Sequence, residues 1–206
     1  MFDAKLRPLI DPPLNAAGRR LAALGISADV VTLTGMMLGL AAGAALADGG
    51  FALALALIIA NRLLDGLDGA VARARGLTDF GGYLDIVADF IFYVSVPLGF
   101  ALADPANALP AALLLASFTL TGISFLAFAT LAAKRGIETA AHGRKSFFYN
   151  TGLAEGAETI AVFIAMCLWP DWFATIAYGY AVLCLLTVIQ RSFAARAAFT
   201  VTPDEA

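Results

Sequence analysis

The chain has 206 residues, of which 61% are hydrophobic and 14% charged, and its mean hydropathy is +0.83. That composition excludes a soluble globular domain and implies an all-α integral membrane protein, a single domain over residues 1–206. The net charge of −3 says little by itself, because the acids gather in one stretch and the bases in loops; membrane lipid, and no nucleic acid, is the expected surrounding.

Residues 3–24 mix Lys5, Arg7, Arg19 and Arg20 with leucines and Ile10. This stretch is too polar to span a bilayer. Pro12 and Pro13 are expected to break it, and residues 14–24 carry apolar side chains at helical spacing with basic partners, the pattern of an amphipathic helix lying in the interface. Ser27, Ala28 and Asp29 offer N-cap residues for a first span over 30–47. No cleavable signal peptide is visible, since the first long apolar run starts behind charged sequence and no cleavage site follows it.

Asp48-Gly49-Gly50 reads as a turn, and a second span over 51–74 follows. A third span covers 80–102, a turn containing Pro105 comes next, and a fourth covers 109–133. The polar loop 134–145 holds His142, read as a solvated residue. A fifth span over 147–168, a Trp169-Pro170-Asp171 turn and a sixth span over 172–194 complete a six-helix bundle over 30–194. Cys167 and Cys184 have no CxxC or histidine context and read as packing residues. The bases lie on one side of this arrangement, and the three opposite turns contain no Lys or Arg. By the positive-inside rule that side, with both termini, faces the cytoplasm, as in a bacterial inner membrane.

Residues 61–89 stand apart, with four carboxylates set in apolar sequence. Asp65 and Asp68 are three apart and Asp85 and Asp89 four apart, so each pair shares a helical face. With a turn near 75–78, Asp68 and Asp85 lie about 8 to 9 Å from it and Asp65 and Asp89 about 12 to 15 Å, at a rise of roughly 1.5 Å per residue. The acids then form two levels of one site. Four carboxylates in a low-dielectric setting cannot all ionise without compensation, which one or two divalent cations supply. All-oxygen ligation suits Mg²⁺, Mn²⁺ or Ca²⁺ rather than zinc, and Mg²⁺ held by carboxylates is commonly shared with substrate phosphates. Gly66, Gly69, Gly81 and Gly82 remove side chains where helices and a ligand approach.

The series Asp65-x2-Asp68-Gly69-x2-Ala72-Arg73, followed by Gly81-x3-Asp85-x3-Asp89, resembles the signature of the CDP-alcohol phosphatidyltransferases. Seven residues separate Arg73 from Gly81, one fewer than that family more usually has, a difference the turn should absorb. The resemblance implies six transmembrane helices behind an amphipathic juxtamembrane helix, a homodimer, and Mg²⁺ or Mn²⁺ as two ions. It implies transfer of a phosphatidyl group from a CDP-linked lipid, CDP-diacylglycerol, to the hydroxyl of a small alcohol, with release of CMP. It assigns Asp65, Asp68, Asp85 and Asp89 to the metal, Asp89 also to deprotonation of the acceptor, and Gly69, Ala72, Arg73 and Gly81 to the nucleotide.

Acceptor contacts are thinner in the sequence. Glu155 and Glu158 read either as acceptor contacts or as partners of Arg62 and Arg191, and Arg144, Lys145 and Arg191 are candidates for binding a phosphate. Glycerol 3-phosphate is the leading expected acceptor, ahead of inositol phosphate, serine or phosphatidylglycerol. Three other readings are weaker. Acids held only by Arg62, Arg73 or Arg75 would not need two intramembrane pairs. An intramembrane prenyltransferase would carry its acidic motifs in distant repeats. A cation transporter or channel would spread its acids along a path across the membrane, whereas these stop at mid-depth.

Overall fold

The computed structural model describes residues 3–136 and 152–200. Among these residues there are seven α-helices and no strand: α1 Asp3–Ala23, α2 Ala28–Ala47, α3 Phe51–Arg75, α4 Asp79–Ala103, α5 Ala108–Lys134, α6 Gly156–Leu168 and α7 Phe173–Phe199. Single 3-10 turns at Pro105–Asn107 and Pro170–Trp172 introduce α5 and α7.

The helix ends follow local chemistry. Ser27 caps α2 by accepting from the Val30 amide at 3.3 Å, and Thr78 caps α4 by accepting from the Gly81 amide at 3.0 Å, each satisfying one donor that a helix start leaves open. Between α3 and α4 only Gly76, Leu77 and Thr78 are non-helical. Gly76 makes that tight reversal with φ of +110°, a backbone angle suited to glycine.

Two expectations from the sequence are corrected here. Helix α1 continues through Pro12 and Pro13 instead of breaking there. Both prolines are exposed, so their rings stand on an outer face of the helix, where the lost backbone hydrogen bonds cost less than they would in a packed interior. The fifth span is shorter than expected: residues 152–155 are not helical and α6 has 13 residues. At a rise of about 1.5 Å per residue that is about 20 Å, below the roughly 30 Å of a hydrocarbon core. Residues 147–151 lie outside the described residues.

Helices α2, α4, α5 and α7 are long and apolar enough to cross a membrane. Helix α3 has 25 residues, also a crossing length, but carries Arg62, Asp65, Asp68, Arg73 and Arg75. Large apolar side chains such as Leu53, Leu98, Leu120 and Ile189 are exposed along the helices, as lipid-facing positions require. The protein is a multi-pass membrane protein.

Helix α2 packs chiefly against α3 and α4, α5 against α7, and α1 against α3. The α2–α4 contact is close because both sides are glycine. A Cβ on Gly43 would come within 2.6 Å of the Ser95 carbonyl oxygen, and one on Gly99 within 2.5 Å of the Gly43 carbonyl oxygen. Small residues permit this approach where the hydrophobic effect cannot drive helices together. An aromatic core completes the packing: Phe100 stacks on Phe173 at 4.4 Å, and Phe92 meets Phe163 edge-on at 5.6 Å. Cys167 and Cys184 are buried, and both belong to this core.

Candidate functional site

Helices α3 and α4 carry the acids and α2 forms the wall behind them. Asp68, 5% exposed, accepts from the Thr32 hydroxyl of α2 at 2.7 Å. Two turns earlier on α3, the Asn61 amide donates to the Gly35 carbonyl of α2 at 2.7 Å. These two bonds fix the rotation of α3 against α2, and with it the direction of the acidic face.

Arg62 lies at the centre of the deeper level. Its Nη1 donates to Asp89 Oδ1 at 2.9 Å and stands 3.6 Å from Asp65 Oδ2. Its Nε donates to Asn61 Oδ1 at 2.6 Å, and its guanidinium carbon lies 4.2 Å from the centre of the Phe92 ring, within cation–π reach. Asp65, Asp68 and Asp89 line one small void with Arg62 and Asn61.

The sequence leads one to expect the acids gripping a shared cation, and the arrangement is less convergent than that. Among the described residues no three His, Cys, Asp or Glu side chains form a group that could hold a metal ion. The cause is visible: the Arg62 guanidinium stands between Asp65 and Asp89, and Thr32 draws Asp68 toward α2. The donor chemistry still fits a hard divalent cation, since Asp65, Asp68 and Asp89 line one void, Asp85 lines both adjoining cavities, and all four offer oxygen ligands alone.

Two larger cavities flank the acids and share Asp85. The first, about 620 Å³, lies at the α3–α4 turn and is lined by Asp68, Gly69, Ala72, Gly81, Gly82 and Asp85, with Ser27, Asp29 and Thr32 opposite. A Cβ at Gly82 would meet nothing, and one at Gly69 would lie 3.3 Å from an Arg73 guanidinium nitrogen. The second, about 460 Å³, is lined by Asp85, Asp89, Tyr93, Thr121, Glu155, Thr159 and Arg191 among others. Three bonds steady its far wall. The Ala154 amide donates to Thr187 Oγ1 at 2.9 Å, the Gly152 amide donates to Glu155 Oε1 at 3.1 Å, and Arg191 Nη1 donates to the Thr121 carbonyl at 3.0 Å.

The other residues singled out from sequence fall elsewhere. Arg73 Nη2 donates to Asn15 Oδ1 of α1 at 3.0 Å and is outside the lining of the first cavity. Gly66 faces Leu14 of α1, so its small size serves helix packing. Glu158 is half-buried on α6 and outside the lining of both cavities. Arg144, Lys145 and His142 lie outside the described residues. Thr32, Asn61 and Tyr93 were not anticipated as parts of the site, and Arg62 only as an ion-pair partner. The available signal was polar residues inside apolar spans, with Asn61 and Arg62 one turn before Asp65.

Residues 26–199 match the family model described as CDP-alcohol phosphatidyltransferase. The chain belongs to the CDP-alcohol phosphatidyltransferase family. It is an enzyme of the class that transfers substituted phosphate groups. It is 50% identical over 192 residues to the inner membrane protein YnjF of Escherichia coli, covering 93% of each chain. It is 33% identical over 193 residues to an archaetidylinositol phosphate synthase of Methanothermobacter thermautotrophicus, covering 91% of this chain and 90% of that one. Its fold is shared with the phosphatidylinositol phosphate synthase PgsA1 of Mycobacterium tuberculosis, crystallised with CDP-DAG bound. The TM-score is 0.65 at 23% identity, covering 89% of this chain and 93% of that one. A second crystal structure of PgsA1, at TM-score 0.64, 21% identity and 88% coverage of each chain, holds manganese and citrate.

Proposed function

We propose that the protein transfers a phosphatidyl group from CDP-diacylglycerol to a hydroxyl of a small phosphorylated polyol, releasing CMP. The observation that carries this reading is the pair of cavities meeting at Asp85. One is lined by Gly69, Ala72 and Gly81 of the signature, the other by Asp89, Glu155 and Arg191. Such a layout gives donor and acceptor separate chambers with the reacting phosphorus between them.

Gly69, Ala72 and Gly81 admit the cytidine diphosphate closely, and Arg73, held by Asn15 outside the cavity lining, would have to leave that partner to reach it. Asp65, Asp68, Asp85 and Asp89 are the residues that would hold Mg²⁺ or Mn²⁺, and the ions would neutralise charge on the diphosphate and on the departing CMP. Asp89 faces the second cavity and takes the proton of the attacking hydroxyl. The acceptor oxygen bonds to the lipid-side phosphorus as the bond from that phosphorus to CMP breaks. Arg191 offers its guanidinium to the acceptor phosphate, and Glu155 accepts from polyol hydroxyls. Arg144 and Lys145 remain, from the sequence alone, candidate contacts for a phosphate.

The names of the archaeal relative and of the mycobacterial structure favour inositol phosphate as acceptor. Glycerol 3-phosphate, the expectation from sequence, is the second reading and presents the same pairing of phosphate and hydroxyl. We read residues 1–206 as one catalytic domain in which α3 and α6 complete six membrane passages. The site and both termini face the cytoplasm in the bacterial inner membrane, and the enzyme works as a homodimer. Purified protein with Mg²⁺ or Mn²⁺ and CDP-diacylglycerol, assayed for CMP across an acceptor panel, tests the proposal. Release dependent on inositol phosphate or glycerol 3-phosphate is expected. Absence of CMP with every phosphorylated polyol would overturn it, and cation flux through reconstituted protein in its stead would favour a transporter.

A further inference from the structure

We infer that Arg62 is the resident counter-cation of the acid site, holding Asp65 and Asp89 together and competing with the divalent cation for them. The inference rests on the metal-dependent reading above but concerns a residue outside the signature.

The geometry supplies the argument. Arg62 Nη1 lies 2.9 Å from Asp89 Oδ1 and 3.6 Å from Asp65 Oδ2, so one donor group bridges acids from two helices. Its side chain is 17% exposed and is fixed on two further sides, by Asn61 Oδ1 at Nε and by the fully buried Phe92 ring beneath it. Asn61 is anchored in turn to the Gly35 carbonyl. A guanidinium held this way stays at the acids and lowers their mutual repulsion before any metal arrives. A divalent cation bound by the same two carboxylates must meet that fixed positive charge or displace it. Cation affinity is therefore set below what four carboxylates alone would give. One benefit follows from the chemistry: an ion held moderately is one that can be shared with an incoming diphosphate.

The test is Mn²⁺ titration of the full-length protein in detergent, without substrates, following free Mn²⁺ by electron paramagnetic resonance. Arg62→Gln is expected to bind Mn²⁺ on the order of tenfold more tightly than wild type, because a unit positive charge has left the site. Arg62→Lys keeps the charge but its shorter ammonium cannot retain all of these contacts, so a smaller tightening, about threefold, is expected. Thermal unfolding with and without Mn²⁺ gives a second readout: the ion should raise the melting temperature more for Arg62→Gln than for wild type. Unchanged or weaker Mn²⁺ affinity in Arg62→Gln overturns the inference; a purely structural ion pair predicts that outcome. If Arg62→Gln does not fold, Arg62→Lys decides, and affinity equal to or weaker than wild type overturns it. A wild-type protein that binds no Mn²⁺ removes the metal reading itself, and this inference with it.

Discussion

Thr32 donates a hydrogen bond from its hydroxyl to Asp68 at 2.7 Å across 36 positions of sequence, tying α2 to the acid that borders the first cavity. Asp68 is buried, and a hydrogen bond to a buried charged group contributes about 1.5 to 3 kcal/mol. Thr32→Val keeps the shape and removes the donor. Its CMP release should fall at least about tenfold, in line with that energy, while Thr32→Ser stays near wild type. Equal rates for all three would show that this bond does not orient Asp68 for the reaction.

Asp89→Asn is the sharpest test of the base. The amide is nearly isosteric but cannot accept the acceptor proton, so turnover should fall by about 10² to 10⁴. CDP-diacylglycerol binding should change far less than turnover. Multiple turnovers by the variant at near wild-type rate would remove Asp89 from that role.

Arg191→Ala should raise KM for a phosphorylated acceptor about tenfold or more, the effect of losing a charge-assisted contact, with little change in KM for CDP-diacylglycerol. The opposite split would move Arg191 to the donor side of Asp85.

Chelation offers a check on the acids as a group. Excess EDTA should abolish CMP release, and added Mg²⁺ or Mn²⁺ should restore it, because carboxylate oxygens favour such ions. Activity persisting in EDTA would leave the four carboxylates without their proposed role.

Gly43→Ala should destabilise the protein by about 1 to 3 kcal/mol through overpacking, since the new methyl would meet the Ser95 carbonyl oxygen at 2.6 Å. A lowered melting temperature in detergent is the expected result. An unchanged one would mean that α2 and α4 can separate without loss.

Much of this was legible in the sequence, and the reasons are physical. The α3–α4 hairpin is bounded by unambiguous chemistry: Gly76 at the reversal and Thr78 at the cap fix its ends within a residue or so of those expected. The four acids stood out because charges are costly in apolar helices. Arg62 was legible as a possible ion-pair partner of the acids, but not that it meets Asp89, nor that Thr32 meets Asp68, because those pairs form through packing that no local spacing encodes. The split of the site into two cavities depends on the same packing. Helix α6 was misjudged because Gly152, Leu153 and Ala154 are apolar enough to extend a span, yet the Ala154 amide is taken by Thr187 instead of an intrahelical carbonyl.

The common wall at Asp85 bears on kinetic order. When two chambers open on one carboxylate, both reactants can be seated at once, and no side chain needs to carry the lipid phosphate between visits. Initial-rate plots should intersect rather than run parallel, radiolabelled CMP should not exchange into the nucleotide lipid unless the alcohol is present, and configuration at phosphorus should invert once per turnover.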